Sequence, residues 1–550
     1  MCTEQNPKRK GNSVFYIASI MKNRPLVLFF AALWGVVAFW GVLELTEPPG
    51  PVLNPDALSY LGAGVSLAHG GGLRVPSAGW ASADTTAPLV HFPPGFSVGI
   101  AAGVSAGLAP VNAARLVEAA AACVTIVALV LTAAAAAGPI AAITAAALAV
   151  TTPALVSVHA GVLSEPLFLA LLACFVYALA SERGERGTHD VRRAIILGAL
   201  AAAATLVRYA GASLVAAVVL DALFSNANGW RERVRRTAIA AIFPVIALGA
   251  WTLTRPRSAD AERIRAVGLY TKGLGTTLTD GVATVGRWLA PGIEPEAAMV
   301  IAALAVLAGI VALFVHAARE VQRGEGRASE VRLYRAVELV VSCYVLVVGA
   351  SRLAADPGIP LDDRMLAPVF LLISLAIGVA LTAWWRSALR REGRGALLLT
   401  MGITLSWIAG AVGVSSAAVD DFRRDGGDLA SREWRLSPLV EWAREAGAGT
   451  RLYSNWPAAI WFHTGRAAAE LPYELDARVA AEFRAKLARE RGAMLSFTAR
   501  SEDMAPPDSL ARLAGLEAVV RSPDGTVWRV PLDSTAGAGA VQVRPTGIRP

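Results

Sequence analysis

Charge is scarce in this sequence, cysteine scarcer still, and no nucleotide-binding loop is present. Asp, Glu, Lys and Arg make up 17% of 550 residues, while 55% are hydrophobic and the mean hydropathy is +0.50. The core of a soluble protein this size cannot hide so much apolar surface, so a soluble fold is excluded. The apolar residues arrive in blocks suited to crossing a hydrocarbon layer of about 30 Å, which makes membrane the solvent. Cys123, Cys174 and Cys343 lie inside such blocks and Cys2 in the N-terminal tail. No pair has metal-ligand spacing and no disulfide framework is expected; the three read as small hydrophobes. The missing phosphate loop argues against ATP-driven transport. No internal repeat is apparent either, so the inverted-repeat mark of a secondary transporter is lacking. The formal charge of +8 does not point to nucleic acid, because most basic residues flank apolar blocks, where positive charge sets topology.

The sequence predicts a polytopic α-helical membrane protein with about eleven spanning helices and a small extracytoplasmic α/β domain at the C-terminus. The first apolar block, 26–45, follows Lys8, Arg9, Lys10, Lys22 and Arg24 but leads into Glu44-Leu-Thr-Glu-Pro-Pro. With no small-residue cleavage site it reads as an uncleaved first span. Further spans are expected at 112–136, 140–158, 163–180, 194–207, 210–224, 238–253, 298–315, 336–351, 366–385 and 397–417. The apolar stretch 96–108 is too short to cross and is expected to be re-entrant or surface-lying. Placing the N-terminus in the cytoplasm puts four arginine-rich connections inside, as the positive-inside rule requires. They hold Arg183 to Arg193, Arg231 to Arg236, Arg319 to Arg335, and Arg386 to Arg394. The expected organisation is a cytoplasmic tail at 1–25, a transmembrane domain at 26–418 with outer loops 46–95 and 255–296, and an outer domain at 419–550. The outer domain mixes strand-like stretches (451–454, 493–497, 516–520, 527–530) with helix-like ones (457–462, 477–491) and ends in a Gly-, Ala- and Pro-rich tail.

Chemistry is expected on the outer face. Loop 46–95 contains Asn54-Pro-Asp56-Ala-Leu-Ser-Tyr60 and ends in His91-Phe-Pro-Pro-Gly95. Pro55 suits a first helical turn, which puts Asp56 and Tyr60 on one face at i, i+4 spacing. Leu58, Leu61 and Val65 are expected to lie on the membrane interface. Asp56 is then either a general base at the headgroup level or merely a helix cap. Glu165, in Ser164-Glu165-Pro166, sits at the outer end of a span, either as a second functional acid or as a charge on the helix dipole. Arg208 and Arg364, also at outer ends, suit a phosphate as forked donors or simply snorkel. The outer loop 255–296 is richer in cations than the topology rule requires, and Arg263, Arg265 and Lys272, with Tyr270 between them, are further phosphate candidates. His69, His91 and His463 lack ligand spacing, so no metal site is assigned. Glu118 and Glu338 read as structural, paired with Arg115 or Arg335.

The order of these features resembles the GT-C fold glycosyltransferases, in particular the protein O-mannosyltransferases and lipid A aminoarabinose transferases. The shared pattern is an outer-loop acid in a D-x-x-x-Y setting (Asp56, Tyr60), a Pro-Pro-Gly segment, and Glu165-Pro166 opening a later span. Val207-Arg208-Tyr209, Asp363-Arg364-Met-Leu-Ala-Pro368 and the segment Tyr453 to Arg466 complete it. The protein mannosyltransferases typically carry Asp-Glu where this chain has Asp56-Ala57, which weighs against a protein acceptor. The resemblance implies transfer of a sugar from a polyprenyl-phosphate carrier to an extracytoplasmic glycan, lipid or protein, with inversion at the anomeric carbon. It implies Asp56 as base, Glu165 as a second acid, the arginines and Lys272 at the donor phosphate, and Tyr60, His91 and Tyr270 at acceptor or sugar. No cofactor is fixed, and a divalent cation is left open. The competing readings are a transporter or flippase of lipid-linked sugars and a non-catalytic membrane scaffold. A transporter concentrates its polar residues at the midplane, whereas these cluster at outer helix ends.

Overall fold

A computed structural model describes residues 8–181, 188–224, 229–254, 268–323, 327–390, 393–499 and 504–531. The protein is an integral membrane protein built mostly of helices, with a small sheet contributed largely by its C-terminal part. The apolar blocks fall on helices, although 140–158 is split between two and 210–224 begins in a tight turn. Among the described residues, seven helices are long and apolar enough to cross a membrane, or eight if a bent pair forms one span. That pair, Pro139–Thr151 and Pro153–Ala160, bends by 57°, because Pro153 has no N–H to continue the ladder. Glu165–Ala180 and Tyr209–Leu223 are apolar but shorter. Thr188–Val207 opens with Asp190, Arg192 and Arg193. The stretch expected to stop short of crossing forms the 11-residue helix Gly95–Ser105.

The helices divide by what they touch. Asp363–Arg390 is lined by buried residues, among them Phe370, Leu371, Leu375 and Val379. In Glu296–Gln322 the side chains of Val300, Ile301, Leu304, Leu307 and Val311 are exposed turn after turn, a face that only lipid covers comfortably. Alanines fill much of the central core, including Ala133, Ala145, Ala201 and Ala204. The helices consequently approach closely: a Cβ on Gly198 would meet the Ala240 carbonyl oxygen at 2.4 Å. Small residues allow such contact where hydrophobic driving force between spans is weak.

The chain forms two compact units, one of residues 1–47, 90–96 and 115–421, the other of 48–89, 97–114 and 422–550. The second holds a strand pair, β1 (Arg74–Val75) with β3 (Ala87–Pro88), and a six-stranded sheet in the order β2 (Ser77–Ala78), β5 (Ala468–Glu470), β4 (Leu452–Ser454), β6 (Ala493–Phe497), β8 (Gly525–Arg529), β7 (Glu517–Ser522). The first four are parallel neighbours and the last two pair antiparallel. Helix Ala477–Arg489, capped by Asp476 onto the Val479 N–H, packs Phe483 and Leu487 against Tyr453 and Met494. Residues 48–89 are stitched into this unit. β2 comes from them, Leu53 exchanges backbone hydrogen bonds with Gly427 and Leu429, and Arg451 donates to the carbonyls of Ser82, Ala83 and Asp84. Lys486 donates to Ala81 and Ser82 at 3.1 and 2.8 Å.

Candidate active site

In the helical unit, three elements converge on one carboxylate. Glu165 opens the helix Glu165–Ala180 and is 2% exposed. Arg208 stands in extended backbone (φ −146°, ψ 139°) at the break between Thr188–Val207 and the tight turn Tyr209–Gly211. Gly211 makes that turn possible, since a Cβ there would lie 2.4 Å from Ala204 backbone. Arg364 lies in the first turn of Asp363–Arg390, which Asp362 caps through the Met365 N–H at 2.9 Å. Glu165 Oε1 accepts from Arg208 Nη1 at 2.7 Å and from Arg364 Nε at 2.9 Å.

The surroundings fix both guanidiniums further. Ser164 makes no side-chain cap for its helix, and its Oγ instead accepts from Arg208 Nη1 at 3.1 Å. Arg208 Nη2 approaches Met365 Sδ at 3.4 Å. Tyr344, whose ring lies beside Phe168, donates its O–H to the Met365 carbonyl at 2.8 Å. Two guanidiniums meet one carboxylate here, with Asp362 and Asp363 close by at the start of Arg364's helix. An anion there gains from both guanidiniums in a setting where burial weakens screening.

Sequence reasoning gave Glu118 a structural role with Arg115. The fully buried Glu118 accepts from the Leu163 N–H at 2.7 Å, two residues before Glu165, and so holds the turn that aims it. Arg115 donates to Thr46 Oγ1 and the Leu43 carbonyl. Glu338 is exposed.

In the second unit, helix Pro55–Ala68 starts as expected with Pro55 in first position. Its cap is Asn54, whose Oδ1 accepts from the Ala57 N–H at 2.8 Å. Asp56 is half-buried, and Tyr60 on the same face is 2% exposed. Leu58 and Leu61 are buried, not spread on a lipid surface, because the helix packs closely on its own unit: a Cβ on Gly62 would strike Pro76 at 2.4 Å. His91 is exposed in the helical unit, its ring beside Phe92.

The basic loop is seen in part. Arg263 and Arg265 lie outside the described residues. Lys272 is exposed and Tyr270 half-buried. Their backbone is anchored by Arg352, which sequence reading passed over. This arginine is 4% exposed at the end of Ala328–Ala354, and it reaches the carbonyls of Tyr270 and Lys272 and the Thr277 hydroxyl. The Tyr270 N–H returns a bond to the Leu353 carbonyl at 2.8 Å. An arginine after an apolar block reads as interfacial, and nothing local marks it as a clamp. Among the described residues no group of three or more His, Cys, Asp or Glu is placed to hold a metal ion.

A cavity of 560 Å³ penetrates the helical unit, lined by Leu148, Trp288, Leu313, Ile377, Trp384 and Trp407 among others. Its walls are almost wholly apolar and run along about three turns of Asp363–Arg390, from Ser374 to Trp384.

The fold is that of the GT-C glycosyltransferases. The oligosaccharyltransferase AglB from Archaeoglobus fulgidus, solved in complex with an inhibitory peptide and a dolichol-phosphate, matches with a TM-score of 0.54 at 12% identity over 85% of this chain and 69% of that one. The arabinofuranosyltransferase AftD from Mycobacteria also gives 0.54, at 16% identity over 92% of this chain, which spans 40% of AftD. ArnT from Cupriavidus metallidurans bound to undecaprenyl phosphate matches over 94% of this chain and 100% of that one at 16% identity, with a TM-score of 0.45. No curated protein matches the chain in sequence. Residues 93–251 match the family model described as dolichyl-phosphate-mannose-protein mannosyltransferase. The matched segment includes Glu118, Glu165 and Arg208 and leaves Asp56 and Arg364 outside it.

Proposed function

We propose that the chain is a glycosyltransferase that moves a sugar from a polyprenyl-phosphate-linked donor to an extracytoplasmic acceptor. The observation that carries this reading is the pair of arginines brought together on Glu165 at helix ends, a preformed pair of forked donors. The family model matched over 93–251 is described by a dolichyl-phosphate sugar, and the AglB structure of the same fold holds dolichol-phosphate. The apolar cavity suits the lipid tail of such a donor, since a tail gains by leaving no apolar surface in water.

The chemistry follows from the groups required. A neutral hydroxyl is a poor nucleophile, so the acceptor needs a base, and Asp56 is assigned that role. The acceptor oxygen bonds to the anomeric carbon while the bond to the phosphate oxygen breaks. The hydroxyl proton goes to the Asp56 carboxylate and the electron pair leaves with the lipid phosphate. Arg208 and Arg364 are assigned to the charge that grows on that phosphate, the kind of electrostatic aid worth most in a preorganised site. Displacement without a covalent intermediate inverts the anomeric centre, as in inverting glycosidases. Glu165 serves to hold the guanidiniums, and Tyr60, His91, Tyr270 and Lys272 are proposed contacts to sugar, acceptor or phosphate. The cell membrane, with the N-terminus in the cytoplasm and residues 419–550 outside, is the proposed setting.

The test is a transfer assay on purified full-length protein with a panel of polyprenyl-phosphate sugars and glycan, lipid and peptide acceptors. Lipid phosphate release coupled to glycoside formation supports the reading. Sugar-lipid translocation across vesicles without transfer would replace it by a flippase.

A further inference from the structure

Helix Glu165–Ala180, which carries Glu165 at its start, borders a second cavity at its other end. It measures 510 Å³ and is lined by Leu179, Ser181, Asp221, Arg332, Arg335, Ala336 and Leu339. Glu165 and Leu179 are fourteen residues apart on one helix, about 21 Å at 1.5 Å per residue. One phosphate group cannot serve both places, and the separation approaches the thickness of a hydrocarbon core.

The order of side chains is informative. Arg332, Arg335, Ala336 and Leu339 occupy i, i+3, i+4 and i+7 of helix Ala328–Ala354 and so form one stripe. The cations come first, near the helix start, and the apolar residues follow one to two turns deeper. Leu179 is the penultimate residue of its own helix, Glu165–Ala180. The acid in the wall is already neutralised, since Asp221 accepts from Arg193 at 3.1 Å. Arg193 and Arg332 also donate to the last carbonyls of Glu165–Ala180, at Ala178, Leu179 and Ala180, which removes the negative helix end from the cavity. Among the described residues Arg335 has no ion-pair partner, and it is exposed.

We propose that this cavity binds the phosphate headgroup and upper acyl chain of an anionic phospholipid, in the leaflet opposite to the Glu165 cluster. A soluble anion needs only the arginines, whereas the apolar floor of Ala336, Leu339 and Leu179 fits a molecule whose charge is joined to hydrocarbon. Basic pockets between spans are an established chemistry for anionic headgroups. The inference does not depend on the transfer reaction.

Full-length protein in detergent micelles, doped with phosphatidylglycerol or with phosphatidylcholine of the same acyl chains, is examined by native mass spectrometry. Retention of phosphatidylglycerol over phosphatidylcholine is expected. Arg335→Glu should weaken it by about fivefold or more, since each basic residue near an anionic headgroup contributes about 1 kcal/mol. Leu339→Trp, which fills the floor without touching charge, should weaken it as well and keeps the test open if Arg335→Glu melts early. Millimolar inorganic phosphate should leave the lipid in place. Equal retention of the two lipids, unchanged binding in Leu339→Trp, or displacement of lipid by free phosphate would each overturn the proposal.

Discussion

A carboxylate in the first turn of a helix has two ordinary uses, and at Asp56 a neighbour separates them. Asn54 takes the cap, bonding the Ala57 N–H at 2.8 Å, so capping no longer explains an acid at position 56. What the fold gains from Asp56 reduces to a dipole interaction of about 0.3–1 kcal/mol. Asp56→Asn keeps the shape and removes the proton acceptor. If Asp56 is the base, turnover should fall by about 10²–10⁴-fold with little change in melting temperature. Near-native transfer by well-folded Asp56→Asn protein would end the assignment. Sequence placed Glu165, Arg208 and Arg364 separately at helix ends. That the arginines share one carboxylate was not legible, because partners 43 and 199 residues apart meet only in the folded chain. Glu118 reads as structural, but its hydrogen-bond partner, the Leu163 backbone N–H, is one that no side-chain pattern reveals.

At the scale of elements, the first loop and the C-terminal chain form one folded unit, and short-range patterns reveal only half of it. Strands 493–497 and 517–522 and helix Ala477–Arg489 show in the sequence because periodicity runs long enough to be read. β2 is two residues long and β5 three, too short for any period. Arg451 and Lys486 together take the carbonyls of residues 81–84, which ties β2 down from the side. Arg451→Ala with Lys486→Ala should therefore expose residues 79–86 to limited proteolysis at least several-fold faster, while the transmembrane fragment stays resistant. Unchanged cleavage would reduce these contacts to surface decoration. His463 links the same unit to Leu429, donating Nε2–H to its carbonyl at 2.8 Å. Burial, and the nearby Arg444 and Arg435 cations, hold its imidazole below the usual 6.5. Below that pH the unfolded chain binds a proton that the folded one refuses, so stability is lost as pH falls from 6.5 towards the depressed value. Burial raises the carboxyl of nearby Asp428, whose contribution has the opposite sign and a window beginning near 3.8. Amide protection factors across 427–464, corrected for the intrinsic exchange rate at each pH, should fall between pH 7 and 5.5, and His463→Gln should flatten that dependence.

The whole molecule is ordered by its two membrane surfaces, and charge distinguishes them. Within the helical unit, Glu165, Arg208 and Arg364 mark one set of helix ends, and Arg193, Arg332 and Arg386 the other. The second set is also where cations are tied to acids, Arg193 to Asp221 and Arg386 to Glu330, and where the arginine-rich connections run. Positive charge in short loops is retained in the cytoplasm during insertion. The Glu165 end is then predicted to face outward, the side on which the proposed donor and acceptor would meet. Fold likeness to AglB and AftD, at 12% and 16% identity, leaves this orientation to be measured. Reporter domains fused after Gly187, after Gly326 and at the C-terminus provide that measurement. Phosphatase fusions at Gly187 and Gly326 should be inactive and the C-terminal fusion active, with the reverse pattern for a reporter that fluoresces only in the cytoplasm. An active phosphatase at Gly187 or Gly326, or a cytoplasmic signal from the C-terminus, would invert the molecule. It would also move the anion site of Arg208 and Arg364 to the wrong side for an extracytoplasmic acceptor, and the proposed transfer would fall with it.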